Sequence, residues 1–303
     1  MKKIMIDDVL HFVNAIGVSK AAYRLETGLK SENNRAYSDK IHSFGSNNNF
    51  ESFLKDFAKY ARDNGFQNSK LRLDKLTGDV FKSYLKDKIE TKDINRHTVS
   101  NLVSQAEKLS LALQKLSLQK NNKESIFANK SQLIDIKKEL RPLARKSIHV
   151  NRAINYDTAV KIINSISNEK SALSAGLQLQ KGLREAEATK IKNWQVSDNL
   201  TIQTKGGMKL DKTIDKETLT KLENHIAKDG SFQNSRNSYE TNLKKAFKDA
   251  GVKYKGTHTL RYTFAQKSYI DKIESGMDAR TALKAVSAEL GHHRPDITLH
   301  YLK

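Results

Sequence analysis

The chain has 303 residues and a formal net charge of +20, from 54 Lys and Arg against 34 Asp and Glu. It contains no cysteine, which excludes disulfide frameworks, Cys-ligated zinc, iron–sulfur clusters and thiol catalysis. No run approaches the ~20 apolar residues of a membrane span, and Met1 to Asp8 carry acidic groups where an export signal needs an apolar core. These features predict a soluble intracellular protein. Residues 1–150 hold 28 basic and 17 acidic side chains, and the remainder 26 and 17, so the excess is spread along the chain. An even excess fits two halves that both lie against a polyanion, usually nucleic acid. A generally lysine-rich composition is the plain alternative.

Two prolines, 14 glycines and few strand patterns predict a mostly helical chain. The polar run Ser46-Asn47-Asn48-Asn49 reads as a loop closing an N-terminal extension, 1–45. Phe50, Phe53, Leu54, Phe57 and Tyr60 then fall at helical spacing, and Thr77 caps a helix carrying Val80, Phe81, Tyr84 and Leu85. Leu102, Ala106, Leu109, Leu113 and Leu116 form one apolar face of a long helix. A linker is expected near 136–154, where Lys137, Lys138, Arg141, Arg145 and Lys146 either pass close to phosphates or form a solvated surface. In the second half, Asp157 caps a helix with Val160, Ile162, Ile163 and Ile166. Ala172 to Leu179 is apolar on nearly every side, as in a helix at the centre of a domain. Trp194-Gln195-Val196 and Leu200-Thr201-Ile202-Gln203 alternate around Ser197-Asp198-Asn199, which predicts a small antiparallel sheet, with a second turn at Lys205-Gly206-Gly207. Helices resume to the end, with Gly251 and Gly291 as stops. The fold class is therefore mainly α with a small antiparallel sheet (α+β).

Phosphate-loop, nucleophile-elbow and HExxH patterns are missing. His292, His293 and His300 come nearest to a metal cluster, but lack a spaced carboxylate or cysteine partner. What remains is a series of basic residues in defined local settings. Arg184, in Gly182-Leu183-Arg184-Glu185-Ala186-Glu187, follows the buried helix and must either pair or bind an anion, because an unpaired buried charge is costly. Glu187, one turn on, is the pairing candidate. Lys205 sits at the tip of its glycine turn. His258-Thr259-Leu260-Arg261 puts an imidazole and a guanidinium on one face of a helix start. Leu290-Gly291-His292 precedes Tyr301 by nine residues from the histidine.

In this order, GLRxxE at 182–187, HxLRYTFA at 258–265 and LGH…T…Y at 290–301 resemble the tyrosine recombinase/phage integrase family. The resemblance is strongest over 155–303 and extends more loosely over about 50–120. It implies a two-domain architecture, with a helical core-binding domain (SAM-like) at 46–135 and a catalytic domain at 155–303, closing on duplex DNA. It implies that Arg184, Arg261 and His292 hold the scissile phosphate, Tyr301 attacks it to form a 3′-phosphotyrosyl link, and His258 serves as acid/base partner. Lys205 would protonate the departing 5′-oxygen, with Lys209 as rival. Arginine's planar fork suits phosphate oxygens, and such donors are worth roughly 2.7–4 kcal/mol each in oxyanion sites.

The same resemblance implies no cofactor and no metal, since the phosphotyrosine conserves the energy of the broken bond. It implies double-stranded recombination sites as partner, a homotetramer built from two dimers, strand exchange through a Holliday junction and room for accessory DNA-bending proteins. It also implies a cytoplasmic, nucleoid-associated bacterial location. Integration or excision of a mobile element is favoured over chromosome or plasmid dimer resolution, topoisomerase-like relaxation and a non-cutting architectural role. Tyr262 stands where the family more often has a second histidine. Only Leu302 and Lys303 follow Tyr301, so either the chain is shortened or assembly rests on other contacts, such as segment 1–45.

Overall fold

The apolar stripes of the first half become helices that share one core. In this computed structural model, residues 3–18, 20–27, 39–66, 72–148, 150–204, 209–292 and 294–302 are described. The chain divides into two units, Met1–Ile148 and His149–Lys303. The first holds α1 (Ile6–Val13), α2 (Lys20–Thr27), α3 (Phe44–Asp63), α4 (Gly78–Lys92), α5 (Arg96–Asn121) and α6 (Lys130–Leu140). Ala106, Leu109, Leu113 and Leu116 of α5 are buried, with Leu102 packed at the margin. Phe57 and Phe81 meet edge to face at 5.6 Å, and Phe127 closes on both. Thr77 accepts a hydrogen bond from the Val80 amide and starts α4, as its sequence predicts.

One local expectation fails here. Ser46–Asn49 is not a loop but lies within α3, because Ser43 accepts from the Ser46 amide and caps the helix ahead of the asparagines. Ile4, Ile6, Val9 and Val13 are buried in the same core as Phe50 and Leu54.

The second unit holds α7 (Tyr156–Asn164), α8 (Glu169–Lys181), α9 (Glu185–Thr189), β1 (Lys190–Lys192), β2 (Leu200–Gln203), β3 (Lys209–Lys212), α10 (Lys216–Asp229), β4 (Ser231–Gln233), α11 (Arg236–Asp249), α12 (Thr259–Glu274), α13 (Ala279–Glu289) and α14 (Pro295–Leu302). Residues 171–179 of α8 are buried or half-buried on every side because the helix serves two cores. Leu173 and Leu177 face a cluster with Ile191, Ile202, Leu222 and Phe232, while Ala175 and Leu179 face one with Ile162, Leu243 and Phe247.

The strands form two antiparallel pairs, β1 with β4 and β2 with β3, the latter in the register Gln203 to Lys209. The chain is thus mostly helical with small antiparallel sheets. The predicted strand at Trp194 is instead a single 3₁₀ turn, Asn193–Gln195, and only Val196 bridges to Leu200. Gln195 explains it: its side chain accepts from the Lys192 amide and donates to the Thr201 carbonyl, closing the turn. The cap of α7 is Asn155 rather than Asp157, whose carboxylate lies within the first turn.

Candidate active site

Gln178, fully buried in α8, accepts from the Tyr239 hydroxyl and donates to the Leu183 carbonyl at 3.2 Å, fixing the chain just before Arg184. Between them Gly182 ends α8 at φ 65°. A Cβ there would stand 2.4 Å from the Phe264 ring, so only glycine makes this turn. Arg184 then becomes the N-cap of α9. Its amide donates to Glu187 Oε2 at 2.7 Å and its Nη1 to Glu187 Oε1 at 2.6 Å. The guanidinium remains one-quarter exposed (25%) and open to a ligand.

Arg261, one turn into α12, is only 1% exposed. Its Nη1 donates to the Gly182 carbonyl and lies 3.8 Å from Glu187 Oε2. Its Nη2 donates to the Leu290 carbonyl at 2.7 Å and to His292 Nε2 at 3.2 Å. Its Nε has no hydrogen-bond partner among the described residues. Burial lowers its pKa, against which the Tyr301 phenol and Glu187 act.

His292 leaves the end of α13 through Gly291, at φ 64°, where a Cβ would meet Leu210 and Thr204 at 2.8 Å. Arginine carries only donors, so His292 Nε2 accepts and the ring proton sits on Nδ1, which faces Thr298 Oγ1 at 2.9 Å. Burial, then Arg261 and Arg184, push the imidazole down to about 4, so it is neutral at pH 7. His258 is the N-cap of α12, and its pKa is lowered by burial, then by Arg261 and Arg152.

Tyr301 reaches the same place from α14. Its ring lies 5.3 Å from His292 and 4.3 Å from Tyr262, with the Arg261 guanidinium carbon 5.7 Å from its centre. Gln266 of α12 donates to the Tyr301 carbonyl at 3.0 Å and so holds this helix down. Arg261, His292 and Tyr301 are therefore in mutual contact, Arg184 joins them through Glu187, and His258 lies within reach of the arginines' field. Two guanidinium charges face one carboxylate and two depressed imidazoles. The cluster is net positive and poised for an anion.

Lys205 lies outside the described residues. Its rival Lys209 starts β3, with its ammonium 5.4 Å from the centre of the Trp194 ring. Sequence reasoning missed Arg152, which acts electrostatically on His258 and Tyr262, and Gln266. It missed Lys212 of β3, partly buried, whose ammonium donates to the Glu289 carbonyl. The threonine of LGH…T…Y is Thr298, fully buried against His292. Among the described residues no three His, Asp or Glu side chains gather as a metal site needs, and no helix is long and apolar enough to cross a membrane.

The same arrangement of helices recurs in solved structures. A complex of XerH site-specific recombinase with difH substrate, before cleavage, superposes with a TM-score of 0.62 at 15% identity, covering 100% of this chain and 95% of that one. A lambda integrase dimer on a COC′ core site gives 0.59 at 16% identity, covering 100% and 78%. The chain has the tyrosine recombinase fold. A lambda integrase tetramer bound to a Holliday junction shows that recombinase fold again, with a TM-score of 0.56 at 14% identity and coverage of 100% and 78%. No protein-family model and no curated protein matches the sequence. At these identities the recombinase fold is shared while the side chains of the site stand on this chain's own geometry.

Proposed function

We propose that the chain is a site-specific tyrosine recombinase of the integrase type. The observation that carries the reading is the meeting of Tyr301 with Arg261 and His292 in one catalytic unit of recombinase fold. Arg184 and Arg261 bind the non-bridging oxygens of a phosphodiester. Tyr301 Oη attacks phosphorus and forms the phosphotyrosyl ester while the bond to the 5′-oxygen breaks. His258 takes the phenol proton and Lys205, or Lys209, gives one to the leaving 5′-oxygen, which departs as the 5′-hydroxyl. A second strand's 5′-hydroxyl reverses the step, so neither cofactor nor nucleotide is consumed.

The site as it stands is a resting arrangement. Both terminal nitrogens of Arg261 are taken by carbonyls and by His292, whose Nε2 accepts where phosphate binding needs a donor. The phosphate's own charge favours a proton on that ring, so DNA arrival both turns Nε2 into a donor and frees Nη2. We further propose exchange through a four-way junction within a tetramer, in the integration or excision of a mobile element. Likeness to the lambda integrase tetramer on such a junction supports this. The first unit, equally basic, supplies a second DNA-binding surface.

Nicked duplexes carrying a sequence that the protein selects from a random pool provide the test. A covalent protein–DNA adduct on denaturing gels, absent in Tyr301→Phe, is expected, together with recombinant products from paired sites. Adduct without recombinants points to relaxation chemistry, and tight binding without adduct to a protein that marks DNA without cutting it.

A further inference from the structure

The last carbonyls of a helix have no partners within it and carry partial negative charge, so a cation that meets them fixes the turn that follows. At the end of α13 two cations do this on successive residues. Lys212 Nζ donates to the Glu289 carbonyl and Arg261 Nη2 to the Leu290 carbonyl. The next two residues are Gly291 and His292. The His292 amide in turn donates to the Ser287 carbonyl at 2.9 Å, and Ser287 Oγ to the His292 carbonyl at 3.2 Å.

Among the described residues Lys212 forms no direct ion pair with a carboxylate. Glu289's own side chain is taken by Ser268 Oγ and Lys272 Nζ, each at 2.6 Å. Lys212 closes the β2–β3 ladder opposite Leu200, and the same hairpin lays Leu210 and Thr204 against Gly291. A shift of the hairpin is thus a shift of the histidine turn.

We propose that Lys212 is a positioning residue for strand cleavage, clasping the end of α13 so that the β2–β3 hairpin and His292 move as one body. This role rests on the recombinase reading above. In sequence, Lys205, the proposed proton donor, falls between β2 and β3. The clasp therefore ties the strands that flank Lys205 to the turn that carries His292. Burial brings the Lys212 pKa down to about 8, with Glu289 and Glu187 acting to raise it and Arg261 and Lys181 to lower it. The ammonium form dominates at neutral pH.

Two readouts test the role. On nicked duplex at saturating concentration, Lys212→Met should slow adduct formation by about 10²-fold, the scale of an ångström misplacement. DNA affinity should stay within about twofold, and Lys212→Arg, which keeps donor and charge, should recover most of the rate. Wild-type cleavage by Lys212→Met, or equal loss in both variants, would overturn the role. The second readout needs no DNA. The His292 imidazole, followed by NMR, should titrate near 4 in the wild type and Lys212→Arg, and move toward 6.5 in Lys212→Met as its turn loosens. An unmoved His292 titration overturns the clasp even in a protein that cleaves nothing, whereas an inert wild type with a shifted His292 overturns only the recombinase reading. Should Lys212→Met fail to fold, Lys212→Gln, a shorter neutral donor, carries both measurements.

Discussion

Arg184 and Arg261 play matching parts in the proposed chemistry, yet their alanine variants should behave very differently as folded proteins. Arg261→Ala leaves the Gly182 and Leu290 carbonyls without their donor, in a place where the side chain was 1% exposed. Each orphaned carbonyl costs ~1–3 kcal/mol. Burial disfavours the guanidinium itself, as its lowered pKa records, and losing that charge offsets part of the cost. A net loss of roughly 3 kcal/mol follows, which for a unit of this size is roughly 6–12 °C in Tm. Arg184→Ala removes one ion pair from a side chain that is 25% exposed, and Glu187 keeps its bond from the Arg184 amide. That should cost about 1 kcal/mol or less, or ~2–4 °C. Thermal melting of the two variants beside the wild type measures the difference. Equal Tm values, or a more stable Arg261→Ala, would refute the assignment of Arg261 as the tie between the ends of α8 and α13. Arg184→Ala is accordingly the cleaner probe of chemistry, expected to bind DNA and lose cleavage by about 10²–10³-fold.

Stability should also fall in mild acid. His292 keeps its proton off down to about 4 in the fold but takes it near 6.5 when unfolded, so the unfolded chain binds the extra proton between these values. The contribution, up to about 3 kcal/mol, is lost as pH drops from 6.5 toward 4. His258 acts in the same direction. His292→Asn should flatten this limb of a melting-against-pH profile, and an unchanged slope would count against the burial argument. Gly182→Ala forces a Cβ at φ 65° to within 2.4 Å of the Phe264 ring, and should lower Tm more than the Arg184 variant does. Gly230→Ala, at similar φ but with nothing within 4 Å, is the control that separates collision from backbone strain.

The helical stripes could be read from sequence because burial on one face imposes its own period, and α5 carries four buried positions in that rhythm. The cluster's members could be read because arginines and histidines stand beside strong local punctuation, Gly182 and Gly291 above all. What escaped was tertiary. A three-residue alternation at Trp194 cannot distinguish a strand from a turn that Gln195 closes by reaching to Thr201. Asn155 and Asp157 are equally good caps on paper, and only the path of the chain into α7 selects one. Lys212 is one lysine in a chain rich in them. Nothing local marks it, because its partner is a carbonyl 77 residues away. The resemblance implied a phosphate-binding role for Arg261, but nothing in the sequence marked the strut that its buried carbonyl bonds make it.

In the proposed reaction Tyr301 becomes esterified to DNA by the cluster in which it lies. Digestion of the trapped adduct followed by mass spectrometry reads the linkage directly. A nucleotide joined through its 3′-phosphate to the peptide containing Tyr301 is expected, with a free 5′-hydroxyl on the released strand. Attachment at any other residue, or a 5′-phosphoryl linkage, would contradict it.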